Sequence, residues 1–157
     1  MRLIDSHRDR WHRVEAAAAT AQAHALLTLD QWQSLRDSWP DALPVGLLVD
    51  NSVDVSGFAD DLPRLSLVAL QFPKWTDGRA YSQARLLRGR HGFAGELRAT
   101  GEVLVDMAPL LQRTGFDAAQ LRADQNPESA RRALRFFAGH YQGDVVTPAP
   151  LFHREAA

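Results

Sequence analysis

Eighteen of the 157 residues are lysine or arginine, and only one of them, Lys74, is a lysine. It sits in the stretch "FPKWTDGRAYS", with Asp77 three positions on and Arg79 two beyond that. Arginine is a rigid fork that stays charged, whereas lysine is a compact point charge whose pKa moves readily. A lysine kept in an arginine-biased chain therefore points to a place where the compact charge matters. Two chemistries suit the trio: Lys74 and Arg79 holding an anion, or the same two cations holding a substrate's charge while Asp77 moves a proton, with Lys74 itself a catalytic candidate as well. A Schiff base on Lys74 finds no second supporting element in the sequence. The other polar cluster, "GELRATGE", carries Glu96, Arg98, Thr100, Gly101 and Glu102. Glu102 is the third candidate for proton transfer. Lys74, Asp77, Gly78, Arg79, Arg98, Thr100 and Gly101 are the candidate ligand contacts. Plainer structural roles stand beside these: Asp77 as a helix cap, Trp75 as a packing lid, Glu96 and Arg98 as an ion pair.

The elements that position these residues alternate between strand and helix. "LPVGLLVDN" is an apolar run closed by a turn signal, a strand over residues 45–49, and "LSLVALQF" is a second, over residues 66–72. "GELRA" is the third and "FDAAQL" a short fourth. Between them, "DVSGFADDLP" has room for two or three helical turns. "GRAYSQARLLRGRHG" puts Ala80, Ala84, Leu87 and His91 on one helical face, with Thr76 or Asp77 as its cap. The next helix aligns Val103, Met107, Leu110, Leu111 and Thr114, and Gly115 stops it. Pro109 requires a kink there, or a true start near Asp106. "NPESARRALRFFAGHY" opens with Asn126 as cap and Pro127 in the first turn, and carries the stripe Ala130, Leu134, Phe137 and Tyr141.

Residues 1–42 read as an N-terminal extension with short strands and one helix, the latter over residues 30–38 with a Thr28–Gln31 capping box. "HALLTL" is one more candidate strand, and the alanine run before it reads equally as helix or linker. Residues 43–141 form the α/β core and 142–157 an irregular tail. Such alternation predicts a single α/β domain with an open, mostly parallel sheet of four to five strands and flanking helices. A partial βα-barrel is the alternative, since a closed eight-fold barrel typically takes about 250 residues. In such sheets ligands bind beyond the carboxyl ends of the strands. The loops there hold Asp50, Asn51, Lys74, Asp77, Arg79, Arg98, Thr100, Glu102 and Arg122. Glu96 and Arg98 share one face of a strand expected to be buried, so each should find an opposite charge in the βα loops.

Composition removes several function classes. With no cysteine, the chain has no disulfide, no thiol catalysis and no cysteine-ligated zinc or iron–sulfur cluster of its own. A net charge of −1 gives no support for a nucleic-acid or anionic-membrane partner. The longest uncharged run, "AAAATAQAHALLTL", is too short to cross a bilayer, and the expected location is the cytoplasm. The six histidines form no metal-ligand set. "GRHGFAG" spaces its glycines unlike a dinucleotide fingerprint and follows a helix.

The run "LQFPKWTDGRAYSQARLLRGRHGFAGELRATGEVLVDMAPLLQRTGFDA" resembles the bacterial domain-of-unknown-function family 934, whose hallmark pieces look like "FPKFTDGRxYSxARLLR", "GELRATGDVL" and "RCGFDAF". The resemblance covers roughly residues 44–141. Trp75 replaces the usual phenylalanine, Thr114 the cysteine, and "AAQL" follows Asp117. The resemblance implies an accessory protein of sulfur assimilation, in the context of sulfite reduction, with sulfite reductase or another protein of that route as partner. It also carries a loose oxidoreductase label, under which any electron carrier would have to bind noncovalently. Two readings follow: an accessory protein that binds a small anion or a partner at the strand ends, or a small enzyme acting on an anionic metabolite. No cofactor is named by the residues.

Overall fold

Strand formation follows the apolar runs. In the computed structural model, which describes residues 1–15, 21–137, 140–145 and 147–149, all of the sheet is parallel. Its strands are β1 (Arg2–Leu3), β2 (His12–Arg13), β3 (Ala25–Thr28), β4 (Val45–Val49), β5 (Leu65–Phe72), β6 (Glu96–Gly101) and β7 (Ala118–Ala119). The helices are α1 (Leu29–Leu35), α2 (Arg79–Arg85), α3 (Ala108–Arg113) and α4 (Pro127–Arg135). A 3-10 segment, Val55–Arg64, joins β4 to β5, and a π-helical turn, Leu86–Arg90, extends α2.

The sheet has seven strands, not four to five. The extra ones, β1 and β2, are two residues each, too short to leave an apolar run in the sequence. Neighbours run β1-β7-β6-β5-β4-β3-β2, so consecutive strands pair throughout and the first strand returns to the last. Among the described residues, a β1–β2 pairing would close this order into a ring. The sheet is thus curled, a half-barrel, which matches the partial-barrel alternative.

Alternation along the strands gives the two faces their own cores. On the convex side Leu27, Leu47, Val68, Leu70, Phe72 and Leu97 pack with Ala80, Ala84 and Leu87 of the second helix and Leu111 of the third. On the concave side Leu26, Leu48, Leu67 and Ala69 pack around Trp11. Glycine at residue 46 makes room for this: a Cβ there would lie 3.0 Å from Leu67 Cβ and 3.1 Å from the Trp11 ring, closer than ordinary van der Waals contact. The connection from β1 to β2 therefore dips into the concavity instead of crossing outside as a helix.

Helix ends follow their caps. Thr28 Oγ1 accepts from the Gln31 N–H and Gln31 Oε1 from the Thr28 N–H, the predicted capping box, although α1 ends at Leu35. Asn126 caps α4 through the Glu128 N–H at 2.8 Å. A 3-10 turn, Val105–Met107, precedes α3, so Pro109 lies in its first turn, and Gly115 (φ 102°) follows its end.

Four local expectations change. Gly78 holds the N-cap position of α2 without a side-chain hydrogen bond, and Asp77 just before it accepts the Arg79 N–H at 3.3 Å while also holding the Arg79 guanidinium. Trp75 is 56% exposed, too open for the packing lid expected of it. Leu110 points away from the core, and α4 stops at Arg135, leaving Phe137 and Tyr141 exposed beyond it. The alanines at 16–19 and the last seven residues of the tail lie outside the described residues. Among the described residues no helix is long and apolar enough to cross a membrane.

Candidate functional site

The carboxyl ends of the strands surround a cavity of about 510 Å³ on the concave side. Its walls differ by strand. From β3 and β4 come Leu26 and Leu48, with Trp11 beside them; from β5, β6 and the end of β7 come Gln71, Thr100 and Gln120. Register places Gln71 level with Thr100, and the Gln120 N–H donates to Ala99 O at 2.9 Å, so the three polar side chains sit on consecutive strands. Arg13, Arg98, Gly101 and Arg122 complete the parts that matter for charge and shape.

Arg98 is buried and committed. Its Nε donates to Glu96 Oε1 at 2.8 Å and its Nη1 to Asp9, while Glu96 also accepts from Arg2 at 2.6 Å. The pairing expected of Glu96 and Arg98 is there, but the partners Asp9 and Arg2 come from the N-terminal segment, not from the βα loops. The inward dip of that segment brings them within reach.

Arg122 bridges Glu102 at 2.7 Å and Asp124 at 2.7 and 2.8 Å. The Arg122 guanidinium holds the Asp124 carboxyl down at about 2. Arg13 makes no ion pair with any described residue, although it lines the same cavity. Gly101 turns the chain at the rim: its φ is 91°, and a Cβ would lie 2.5 Å from Phe72 O.

The sequence-predicted residues divide into two groups. Arg98, Thr100 and Gly101 line the cavity, with Glu102 tied to Arg122 beside it. Lys74, Asp77, Gly78 and Arg79 do not; the first three occupy the loop between β5 and α2, and Arg79 opens α2. There Asp77 takes Arg79 in a forked pair, Nε at 3.0 Å and Nη2 at 2.7 Å. That guanidinium holds Asp77 well below the ordinary carboxylate range, with a smaller contribution from Asn51. Lys74 makes no ion pair with the described residues, and its carbonyl accepts the Asp77 N–H in a turn. Asp50, at the end of β4, accepts from the hydroxyl and amide of Ser52, which lower its pKa. Buried Gln83 pins the same loop through Asp50 O and Val53 O.

Arg13, Gln71 and Gln120 were not among the sequence candidates. Two carried a signal: Gln71 interrupts "LSLVALQF" near its carboxyl end, and Gln120 does the same in "AAQL". A polar side chain at the end of a buried strand marks a wet mouth. Among the described residues, no three His, Cys, Asp or Glu side chains converge as a metal site would require.

No curated protein matches the chain. A family model does match, over residues 46–152, which takes in β4 to β7 and the four loops at their carboxyl ends. The strands that build the polar wall of the cavity fall inside that match, whereas Trp11 and Arg13 come from the segment before it. The chain belongs to DUF934, a family of bacterial proteins of unknown function.

Proposed function

We propose that this protein is an accessory factor of sulfur assimilation that binds a small anion at the mouth of its curled sheet and positions it for a partner such as sulfite reductase. The sulfur context rests on the family resemblance alone. The anion site rests on one observation: Arg13, an exposed cation with no ion pair among the described residues, lines a cavity whose nearby carboxylates are already taken, Asp9 by Arg98 and Glu102 and Asp124 by Arg122. The side-chain amides of Gln71 and Gln120 line the cavity as neutral donors, while the Thr100 hydroxyl beside them donates to Leu70 O at 3.4 Å. The carboxyl ends of parallel strands are also where this class of sheet collects its ligands.

The enzyme reading has weaker support. Of its two carboxylate candidates, Asp77 is held well below the ordinary carboxylate range by Arg79, and Glu102 is engaged in an ion pair with Arg122.

Thermal shift tests the anion site. Millimolar sulfite or sulfate should raise the Tm of the wild type by mass action, beyond any effect of chloride at equal ionic strength. Arg13→Gln should abolish that rise, and Lys74→Met should leave it intact. A rise lost in Lys74→Met and kept in Arg13→Gln would move the anion to the β5–α2 loop and overturn the assignment to the mouth.

A further inference from the structure

We infer that the ligand of the mouth is an organic anion, an acidic head carried on an apolar body, and not a bare oxyanion. The inference rests on the anion reading of the same cavity and adds the class of molecule.

Size is the first argument. At roughly 30 Å³ per water, a cavity of about 510 Å³ has room for many times the volume of a four- or five-atom oxyanion. It falls within the range of roughly 300–1,000 Å³ usual for small-molecule sites.

The second argument is the division of the walls. The polar side chains Gln71, Thr100 and Gln120 occupy one side, and Trp11, Leu26 and Leu48 the other. Within the concave apolar cluster, Leu67 and Ala69 are fully buried, whereas Trp11, Leu26 and Leu48 each keep 8% of their surface exposed. The three residues of the cluster that keep any exposure are the three that line the cavity. A bare oxyanion bound by Arg13 would leave that apolar wall against water. A molecule with an apolar body would cover it, and removing such surface from water is favourable. The acidic head would face Arg13 and the side-chain amides of Gln71 and Gln120, and the body would lie along Trp11, Leu26 and Leu48.

The test compares two probes on the full chain by isothermal titration calorimetry: sulfate, an acidic head alone, and 2-naphthalenesulfonate, the same kind of head on an aromatic body. The wild type should bind naphthalenesulfonate at least about tenfold more tightly than sulfate, and sulfate should compete with it. Arg13→Gln should weaken both probes. Leu48→Asn should weaken naphthalenesulfonate by about tenfold and leave sulfate unchanged. If Leu48→Asn fails to fold, the wild-type affinity ratio decides alone. Equal affinities, or tighter sulfate, with both probes lost in Arg13→Gln, would overturn the organic-anion inference while the anion site stood. Binding of both probes unaffected by Arg13→Gln would overturn the anion site itself, and the inference with it.

Discussion

Two arginines on the concave side hold the same kind of company. Arg98 lies between Glu96, two residues before it, and Asp9; Arg122 lies between Asp124, two residues after it, and Glu102. The bonds are alike, but the water is not. The Arg98 side chain is 4% exposed and sits deep in the concavity, while that of Arg122 is 36% exposed at the rim. Burial changes what such a cluster does. In a dry setting the attraction between charges is strong, yet removing any one of them strands the others. At a wet rim the same pairs are screened and contribute little to stability, which leaves the rim free to serve binding. The deep cluster also has a topological task. It ties Asp9, and with it Trp11, to β6, and so holds the β1–β2 connection inside the curl where a closed barrel would pair two strands.

The largest effect expected from this contrast is on stability. Arg98→Ala should cost about 3–5 kcal/mol, the usual consequence of breaking a buried charge pair. Asp9 would be left buried without its cation, while Glu96 would keep Arg2. Arg122→Ala should lower the urea midpoint only slightly. Equal midpoint shifts for the two variants would show that the deep cluster is as wet as the rim, and the comparison would collapse.

Gly101 stands between the two clusters and carries the next effect. Its φ of 91° suits glycine, and its missing Cβ is what lets Phe72 O approach. The same carbonyl accepts the Glu102 N–H at 2.8 Å, so the turn also aims Glu102 toward Arg122. Gly101→Ala should cost about 1–3 kcal/mol through backbone strain. It should also weaken anion binding at the mouth, because the rim would shift. An alanine variant with unchanged urea midpoint and unchanged anion affinity would mean that the turn relaxes freely and positions nothing.

Much of this fold was legible because long parallel strands write themselves as apolar runs. The strands β4 and β5 are buried almost throughout, and their runs end in recognisable turns. The caps at Thr28 and Asn126 were legible for the same local reason: a side-chain oxygen two or three residues before an N–H is a short-range signal. The edges β1 and β2 were not, since two residues of strand leave no pattern and their pairing depends on curvature. The site divided along the same line. Arg98, Thr100 and Gly101 follow from placing a strand end, whereas Arg13 reaches the cavity only because the sheet curls until its second strand faces its sixth. Lys74 drew notice by its rarity, but rarity in composition does not fix direction, and the loop carries it outside the mouth.

The smallest expected effect is a pH dependence of the rim. Asp124 has a folded pKa of about 2, brought down first by its hydrogen bonds from Arg122. An unfolded aspartate titrates near 3.9. A folded value below the unfolded one means that the pair stabilises the fold at any pH above the unfolded value. That contribution is lost as pH falls through the folded one. The difference in urea midpoint between wild type and Asp124→Asn should therefore be small but constant above about pH 5, should shrink below about pH 4, and should be mostly gone by about pH 2. Salt should reduce it at every pH, as expected of exposed charges within a Debye length of solvent ions. A difference that persisted undiminished at pH 2 would show that Asp124 acts through its backbone turn and not through its charge. The rim would then be a structural device like the cluster around Arg98, and the contrast between the two arginines would be one of depth alone.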